Sequence, residues 1–482
     1  MVHSMAFTSL NFVIFFPLLA VVYFLIPRSL RRALLLLASY GFYINMQPVY
    51  AFLLAGITLV TFVFTGWMAR ATSDTVKRRC MTINIGLVLL PLLFFKYFVA
   101  INSAVIKFLE NSQLRYPLPE ISLFLPIGIS FYTFMTIGYI VDVYNEEVEC
   151  EKNLGVLALF ISFFPLVLSG PIERAKNMLW QFKVLPELEY AAVVQGMRMM
   201  LWGYVMKLVI ADRIGIYVDA IYANIPHHNG TTLGFAACWY PIQVYADLGG
   251  YSLIAIGTAR VLGFNVIQNF RRPFFATSMA EFWRRWHISL IGWLTDYIYT
   301  PLSFSLRRYG IWGIVLALML TFIISGIWHG AALTFIVWGV MQGCFLSIEA
   351  LTNRKRSEFE RKFRLAGKAW YVALGVGLTF VLFASSQVVG RSPCMGDALE
   401  VFRRICTLPG ALFIGTPTTM IFGLIGTLIL ILKDGRDEFF PERFLMFENR
   451  HKAIRTASYA GACTLILLAG VFDGGQFIYF QF

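Results

Sequence analysis

Apolar runs of about 20 residues recur along the whole chain, separated by short polar and basic stretches, and this spacing predicts helices that cross a bilayer. The runs fall near 7–26, 32–46, 48–69, 81–101, 122–144, 154–170, 193–221, 232–263, 279–302, 311–325, 327–349, 369–388, 411–432 and 455–472. Lipid offers backbone amides no partner, so each hydrogen bond must close within a helix or a closed barrel. A barrel would appear as short alternating stretches, and none is read here. Three runs are not plain rods. The stretch 32–46 is short, 122–144 contains Pro126 and Gly128, and 193–221 is long enough to bend or break at Gly203. Irregular backbone survives at membrane depth only where protein buries it or water lines it, so a central cavity is expected. The run 7–26 is too long for a signal-peptide core and lacks a small-residue cleavage site, so it is taken as the first spanning helix. With no internal repeat and no soluble appendage longer than a loop, residues 1–482 read as a single integral membrane domain, all-α and polytopic.

Composition agrees with this pattern. Of 482 residues, 58% are hydrophobic and 14% charged, against roughly 45–50% apolar and about 25% charged in soluble domains. The net charge of +13 raises nucleic acid as a partner, but the positive residues lie between apolar runs. Arg28, Arg31 and Arg32 follow the first run, Arg70, Lys77, Arg78 and Arg79 follow the third, and Arg354 to Lys368 form the densest block. That is the positive-inside pattern, and it excludes a nucleic-acid module. It places the loops at 27–31, 70–80, 353–368 and 433–455 in the cytoplasm, and the N-terminus, 97–118, 389–410 and the C-terminus outside. The seven cysteines show no metal-type spacing, and Cys394 and Cys406 are read as unpaired thiols in one extracytoplasmic loop rather than as a bridge.

Ionisable groups inside apolar runs cost about 2.5–3.5 kcal/mol each at a helix centre, so each needs a reason to be there. Of six histidines, His3 and His451 lie in a terminus and a charged loop, and His227 and His228 in a polar stretch without further metal-type ligands. His329 stands in Ser325-Gly326-Ile327-Trp328-His329-Gly330 between two apolar runs. It is either a core histidine bonded to a carbonyl or a reactive imidazole. Flanking glycines leave room beside the ring, and Ser325, one turn earlier, is placed to set its tautomer. Gly326 and Gly330, then Gly339 and Gly343, repeat at four-residue spacing as though along one interior helix packed closely by another. His287 ends Ser278-Met279-Ala280-Glu281-Phe282-Trp283-Arg284-Arg285-Trp286-His287, where Ser278 and Glu281 form a capping box and Arg284 is read on the same face as His287. The two arginines between tryptophans are either interfacial anchors or a basic mouth for a phosphate-bearing donor. Asp247, beside Gly249 and Gly250, pairs with an arginine or supports a histidine from behind. No zinc-protease signature, Walker loop, dinucleotide fingerprint or nucleophile elbow occurs. A buried histidine in a wet cavity fits general-base activation of a hydroxyl attacking an acyl thioester, a role worth about 10²–10⁴-fold in rate.

The chain resembles the membrane-bound O-acyltransferases, and within them the alginate O-acetylation membrane subgroup. The likeness is carried, in order, by Phe7-Thr8-Ser9-Leu10-Asn11-Phe12 with Phe15-Phe16-Pro17, Phe95-Lys96-Tyr97, and Leu125-Pro126-Ile127-Gly128-Ile129-Ser130-Phe131-Tyr132-Thr133-Phe134 with Val141-Asp142-Val143-Tyr144. It continues through Phe164-Pro165, Ser169-Gly170-Pro171-Ile172-Glu173-Arg174, Lys207 with Ala211-Asp212-Arg213, Tyr245-Ala246-Asp247, Phe282 to His287 and Gly326 to Gly330.

The resemblance implies a helical membrane core with a narrow channel and some tilted or re-entrant helices. His329 matches the family's near-invariant catalytic histidine, and His287 the second histidine of the subgroup. In the wider family asparagine or aspartate often takes that second place, so histidine there favours polysaccharide over lipid acylation. The implied reaction passes an acetyl group from cytoplasmic acetyl-CoA, used as a substrate with no bound cofactor or metal, across a bacterial inner membrane. The implied acceptor is a serine-bearing extracytoplasmic protein within a polysaccharide biosynthesis complex, with membrane lipid as the surroundings. Arg284, Arg285, Trp328, Asp247 and Ser325 are the expected substrate-binding or supporting residues. The alternative readings are D-alanyl transfer to teichoic acid by the same fold, and a transporter or flippase with His329 as a proton relay.

Overall fold

The computed structural model describes residues 5–112, 125–443 and 445–472. The chain divides into two compact units, Met1–Met199 with Ala255–Ile267 and Met200–Ile254 with Gln268–Phe482. Among the described residues every regular element is helical.

The first unit holds α1 (Leu10–Leu25), α2 (Arg28–Met46), α3 (Tyr50–Arg70), α4 (Asp74–Asn111), α5 (Ile129–Tyr144), α6 (Leu154–Ser162), α7 (Phe164–Val167), α8 (Ala175–Val184) and the start of α9 (Tyr190–Tyr204). Side-chain caps start two of them, since Ser9 Oγ accepts from Phe12 N and Asn153 Oδ1 from Gly155 N. Gly128 sits at φ 76° before α5, and a Cβ there would meet Val167 O at 2.0 Å, so only glycine fits. The run 154–170 divides at Phe163, ahead of Pro165. Inside this unit the buried Glu173 carboxylate takes Ile267 N and Arg174 N, while the Gln181 amide bonds both N and O of Asn265. These bonds pin the irregular segment 265–267.

The second unit contains α10 (Asp212–Tyr222), most of α11 (Gly230–Val261), α12 (Met279–Arg285), α13 (Ile288–Leu294), α14 (Thr300–Ser305), α15 (Ile311–His329), α16 (Leu333–Lys362), α17 (Ala369–Arg391), α18 (Met395–Thr407), α19 (Pro417–Phe439) and α20 (Lys452–Ala469). No break occurs at Gly203. The path from α9 widens instead into a π-helix over Val205–Ala211, and the displaced Leu208 carbonyl accepts Val471 N at 3.0 Å. Gly203 and Gly250 let the backbones approach, because a Cβ on Gly203 would lie 2.6 Å from Gly250 O.

Six described helices are long and apolar enough to cross a membrane: α3, Asp74–Phe98 of α4, α15, α16, α17 and α19. Large apolar side chains stand outward on them, among them Phe52 at 82% and Leu432 at 62% exposure, as a lipid-facing surface requires and a water-facing one does not. The protein is therefore an all-α, multi-pass membrane protein.

Several boundaries move from those the sequence pattern predicts. Arg28, Arg31 and Arg32 belong to the first turns of α2 rather than to a loop. The glycines around His329 lie not on one helix but on two, joined by a turn at Gly330 to Ala332. There Gly326 of α15 faces Gly339 of α16, and a Cβ on either would meet a carbonyl oxygen at 2.3–2.4 Å. The run 279–302 breaks into α12, α13, a short π-helix over Thr295–Tyr299 and α14. The loop 389–410 contains the amphipathic α18, where hydrogen bonds from Arg403 and Arg404 hold the Glu400 carboxyl down at about 2. Cys394 and Cys406 are free and lie at opposite ends of α18. Twelve residues of helix separate them by about 18 Å, far beyond disulfide reach.

A paired substitution tests the hairpin. Gly339→Ala, whose methyl meets the Phe322 carbonyl, is expected to lower stability in thermal unfolding by about 1–3 kcal/mol. Gly377→Ala on α17, with nothing within 4 Å, is expected to be neutral or slightly stabilising. Equal melting of the two variants would contradict the close approach.

Candidate active site

The site lies in the second unit, where two helical paths are interrupted. Ser278 starts α12 by accepting Glu281 N at 3.2 Å, while Glu281 reaches back to Thr277 N at 2.9 Å. The helix stops after Arg285, and His287 takes a left-handed conformation at φ 44° before α13 begins. For a residue with a Cβ that conformation costs on the order of 1–2 kcal/mol. Because α12 has ended, Arg284 and His287 do not share a helix face. The reversal also leaves the first amides of α13 needing acceptors. His287 occupies the N-cap without capping through its side chain, and Asn269 supplies the acceptors instead. Its backbone O takes Ile288 N at 2.8 Å, and its Oδ1 takes Ser289 N at 3.2 Å and Ser289 Oγ at 2.9 Å. The same Oδ1 lies 3.1 Å from His287 Nδ1.

The second interruption is at His329, the last residue of α15 rather than a mid-helix residue. Its ring is surrounded by Trp328 at 4.7 Å, Trp338 at 4.9 Å and Phe335 at 6.2 Å between centroids. His287 is 2% exposed, and His329 is half-buried.

Both histidines line one cavity of about 60 Å³, together with Ser325, Trp283, Trp286, Tyr240 and Gln387. Its aromatic walls with a few polar groups have the lining usual for a small-molecule site. Hydrogen bonds fix the walls. Trp283 Nε1 donates to Gln342 Oε1 at 3.2 Å, and Gln342 Nε2 donates to Ser386 Oγ at 2.6 Å, which ties α12, α16 and α17 together.

Of the seven residues singled out from sequence, His287, His329 and Ser325 meet at this cavity. Trp328 packs against His329 but is not among the lining residues. Arg285 points to Glu281 at 2.5 Å and Glu438 at 3.0 Å, and Arg284 is exposed. Asp247 pairs with a lysine rather than an arginine, since Lys207 reaches Asp247 at 2.5 Å and Asp212 at 2.7 Å. Sequence reasoning missed Asn269, which lies 18 positions before His287 and carries no motif of its own. It also missed Tyr240 and Gln387 as cavity walls. Among the described residues no group of His, Cys, Asp and Glu could hold a metal ion.

The Lys207 cluster gives a test. Lys207→Met leaves two buried carboxylates facing each other and is expected to cost about 3–5 kcal/mol in thermal unfolding. Adding Asp247→Leu should recover a large part of that loss. No recovery would show that the ion pair is not what holds α11 at this point.

Comparison with known proteins bears on this geometry. A profile of the membrane-bound O-acyltransferase family matches residues 153–381. A Pseudomonas putida protein named "Probable alginate O-acetylase AlgI" is 36% identical over 354 residues, which cover 72% of this chain and 70% of that protein. A Helicobacter pylori peptidoglycan O-acetyltransferase is 29% identical over 78% of this chain and 74% of its own length. A Streptococcus thermophilus teichoic acid D-alanyltransferase is 27% identical over 61% and 71% respectively. The matched range ends within α17 and takes in both histidines. With a relative 36% identical over 72% of its length and an all-helical, multi-pass fold, the chain belongs to the membrane-bound O-acyltransferase family, and it is an O-acyltransferase.

Proposed function

We propose that the protein carries an acetyl group from acetyl-CoA on the cytoplasmic side of a bacterial inner membrane to a hydroxyl presented on the other side. The hydroxyl belongs to a serine of a partner protein, which in turn O-acetylates an extracytoplasmic polysaccharide of the alginate kind within a biosynthesis complex. The observation that carries this reading is the single cavity lined by both His287 and His329. The relatives' names support its finer part, since two of the three concern O-acetylation.

In the proposed reaction His329 takes the hydroxyl proton as the oxygen bonds to the acyl carbon, the carbon–sulfur bond breaks, and the proton passes on to the departing thiolate. His287 accepts a hydrogen bond and orients the hydroxyl. Ser325 and the tryptophans bound the acyl chain, and room for a short acyl group suits acetyl. Arg284, exposed at the end of α12, meets the donor's phosphates, while Arg285 and Asp247 act at one remove by holding Glu438 and Lys207. Acetyl-CoA is consumed as a substrate, and no resident cofactor is involved.

The test is acyl transfer by the purified protein. His329→Ala is expected to lower turnover by about 10²–10⁴-fold, and near-normal turnover would overturn its role as base. The donor separates acetyl from D-alanyl transfer. Acetyl-CoA should be consumed and a D-alanyl carrier-protein thioester should not, and the reverse result would place this chain with its Streptococcus relative. Membership of an acyltransferase family removes the transporter without covalent chemistry.

A further inference from the structure

We propose that Asn269 is a positioning residue that holds His287 in one tautomer, with hydrogen on Nδ1 and the lone pair on Nε2, so that the ring enters the cavity as a hydrogen-bond acceptor. The Ser289 backbone N–H can only donate, and it donates to the Asn269 side chain at 3.2 Å, so the atom it meets is the amide oxygen. The other end of that amide donates to Ser252 Oγ at 3.0 Å, which agrees with the same orientation. The oxygen cannot donate to His287 Nδ1, 3.1 Å away, so Nδ1 must carry the hydrogen. In a neutral imidazole the lone pair then resides on Nε2.

The backbone keeps this arrangement rigid. Asn269 is 3% exposed and is bonded through its carbonyl to Ile288, through its amide oxygen to Ser289, and through its amide nitrogen to Ser252. It does for the first turn of α13 what the N-cap side chain normally does. His287, which sits at the N-cap, lines the cavity with its ring instead. One residue therefore closes the helix end and sets the imidazole. The consequence for turnover rests on the acyl-transfer reading above, whereas the tautomer does not.

Two measurements separate these. In protein labelled with ¹⁵N-histidine, with the His287 signals assigned by their loss in His287→Gln, the wild-type spectrum should show the Nδ1-protonated form, and an Nε2-protonated His287 would overturn the proposal. Asn269→Asp keeps the accepting oxygen and should keep both the tautomer and most of the activity. Asn269→Leu removes it and should lower kcat by at least about tenfold with KM little changed, and wild-type kcat in that variant would also overturn the proposal. If Asn269→Leu fails to fold, the wild-type spectrum still decides. If the tautomer is as stated but wild-type protein transfers no acyl group from any donor, the functional reading fails and the assignment of Asn269 stands.

Discussion

A helix that stops among apolar neighbours leaves amide hydrogens that neither lipid nor packed side chains can satisfy. The break between α12 and α13 is the point in the second unit where that requirement is met from a distance. Asn269 supplies two acceptors to the first turn of α13, and the left-handed turn at His287 can exist because those amides have somewhere to go. Without that closure the first amides of α13 would lie buried with no acceptor. The cavity exists because the helical path is interrupted there and again at His329.

Other features of the second unit serve to keep these two interruptions in place. Glycine-to-glycine contact between α15 and α16 sets the distance at which the hairpin turns, and His329 stands at that turn. Trp283, Gln342 and Ser386 tie the walls, and Phe383 packs on Trp286 at 5.0 Å between ring centroids. The Lys207 cluster fastens the π-helix to α11, the helix that supplies Tyr240, Val244 and Leu248 to the cavity. The site is thus made of rigid elements, and its polar groups are few and individually anchored.

Much of this was legible in the order of residues. Long apolar runs interrupted by arginine and lysine give away a multi-pass helical protein, because nothing else explains so little charge distributed that way. His329 and His287 stood out because an imidazole in an apolar run needs a reason. What escaped was whatever depends on three-dimensional closure. A run of apolar residues looks the same whether it forms one helix or four, so the division of 279–302 could not be seen. The glycines at 326, 330, 339 and 343 have helical spacing on either side of a turn, and periodicity alone does not show the turn. Asp247 announced itself as a charge needing a partner, but Lys207, 40 positions away, was recognised only as part of a family likeness. Asn269 was invisible because its role is to accept hydrogen bonds from backbone, which leaves no mark on composition or spacing.

In the proposed reaction His287 and His329 face one space in which a thioester and a hydroxyl meet. The most direct measurement is a cryo-electron microscopy structure of the protein with a non-hydrolysable acyl-CoA analogue. Density for the acyl end is expected between the two imidazoles, bounded by Trp283, Trp286 and Ser325. Density for the analogue elsewhere, with both rings sealed in side-chain packing, would contradict it.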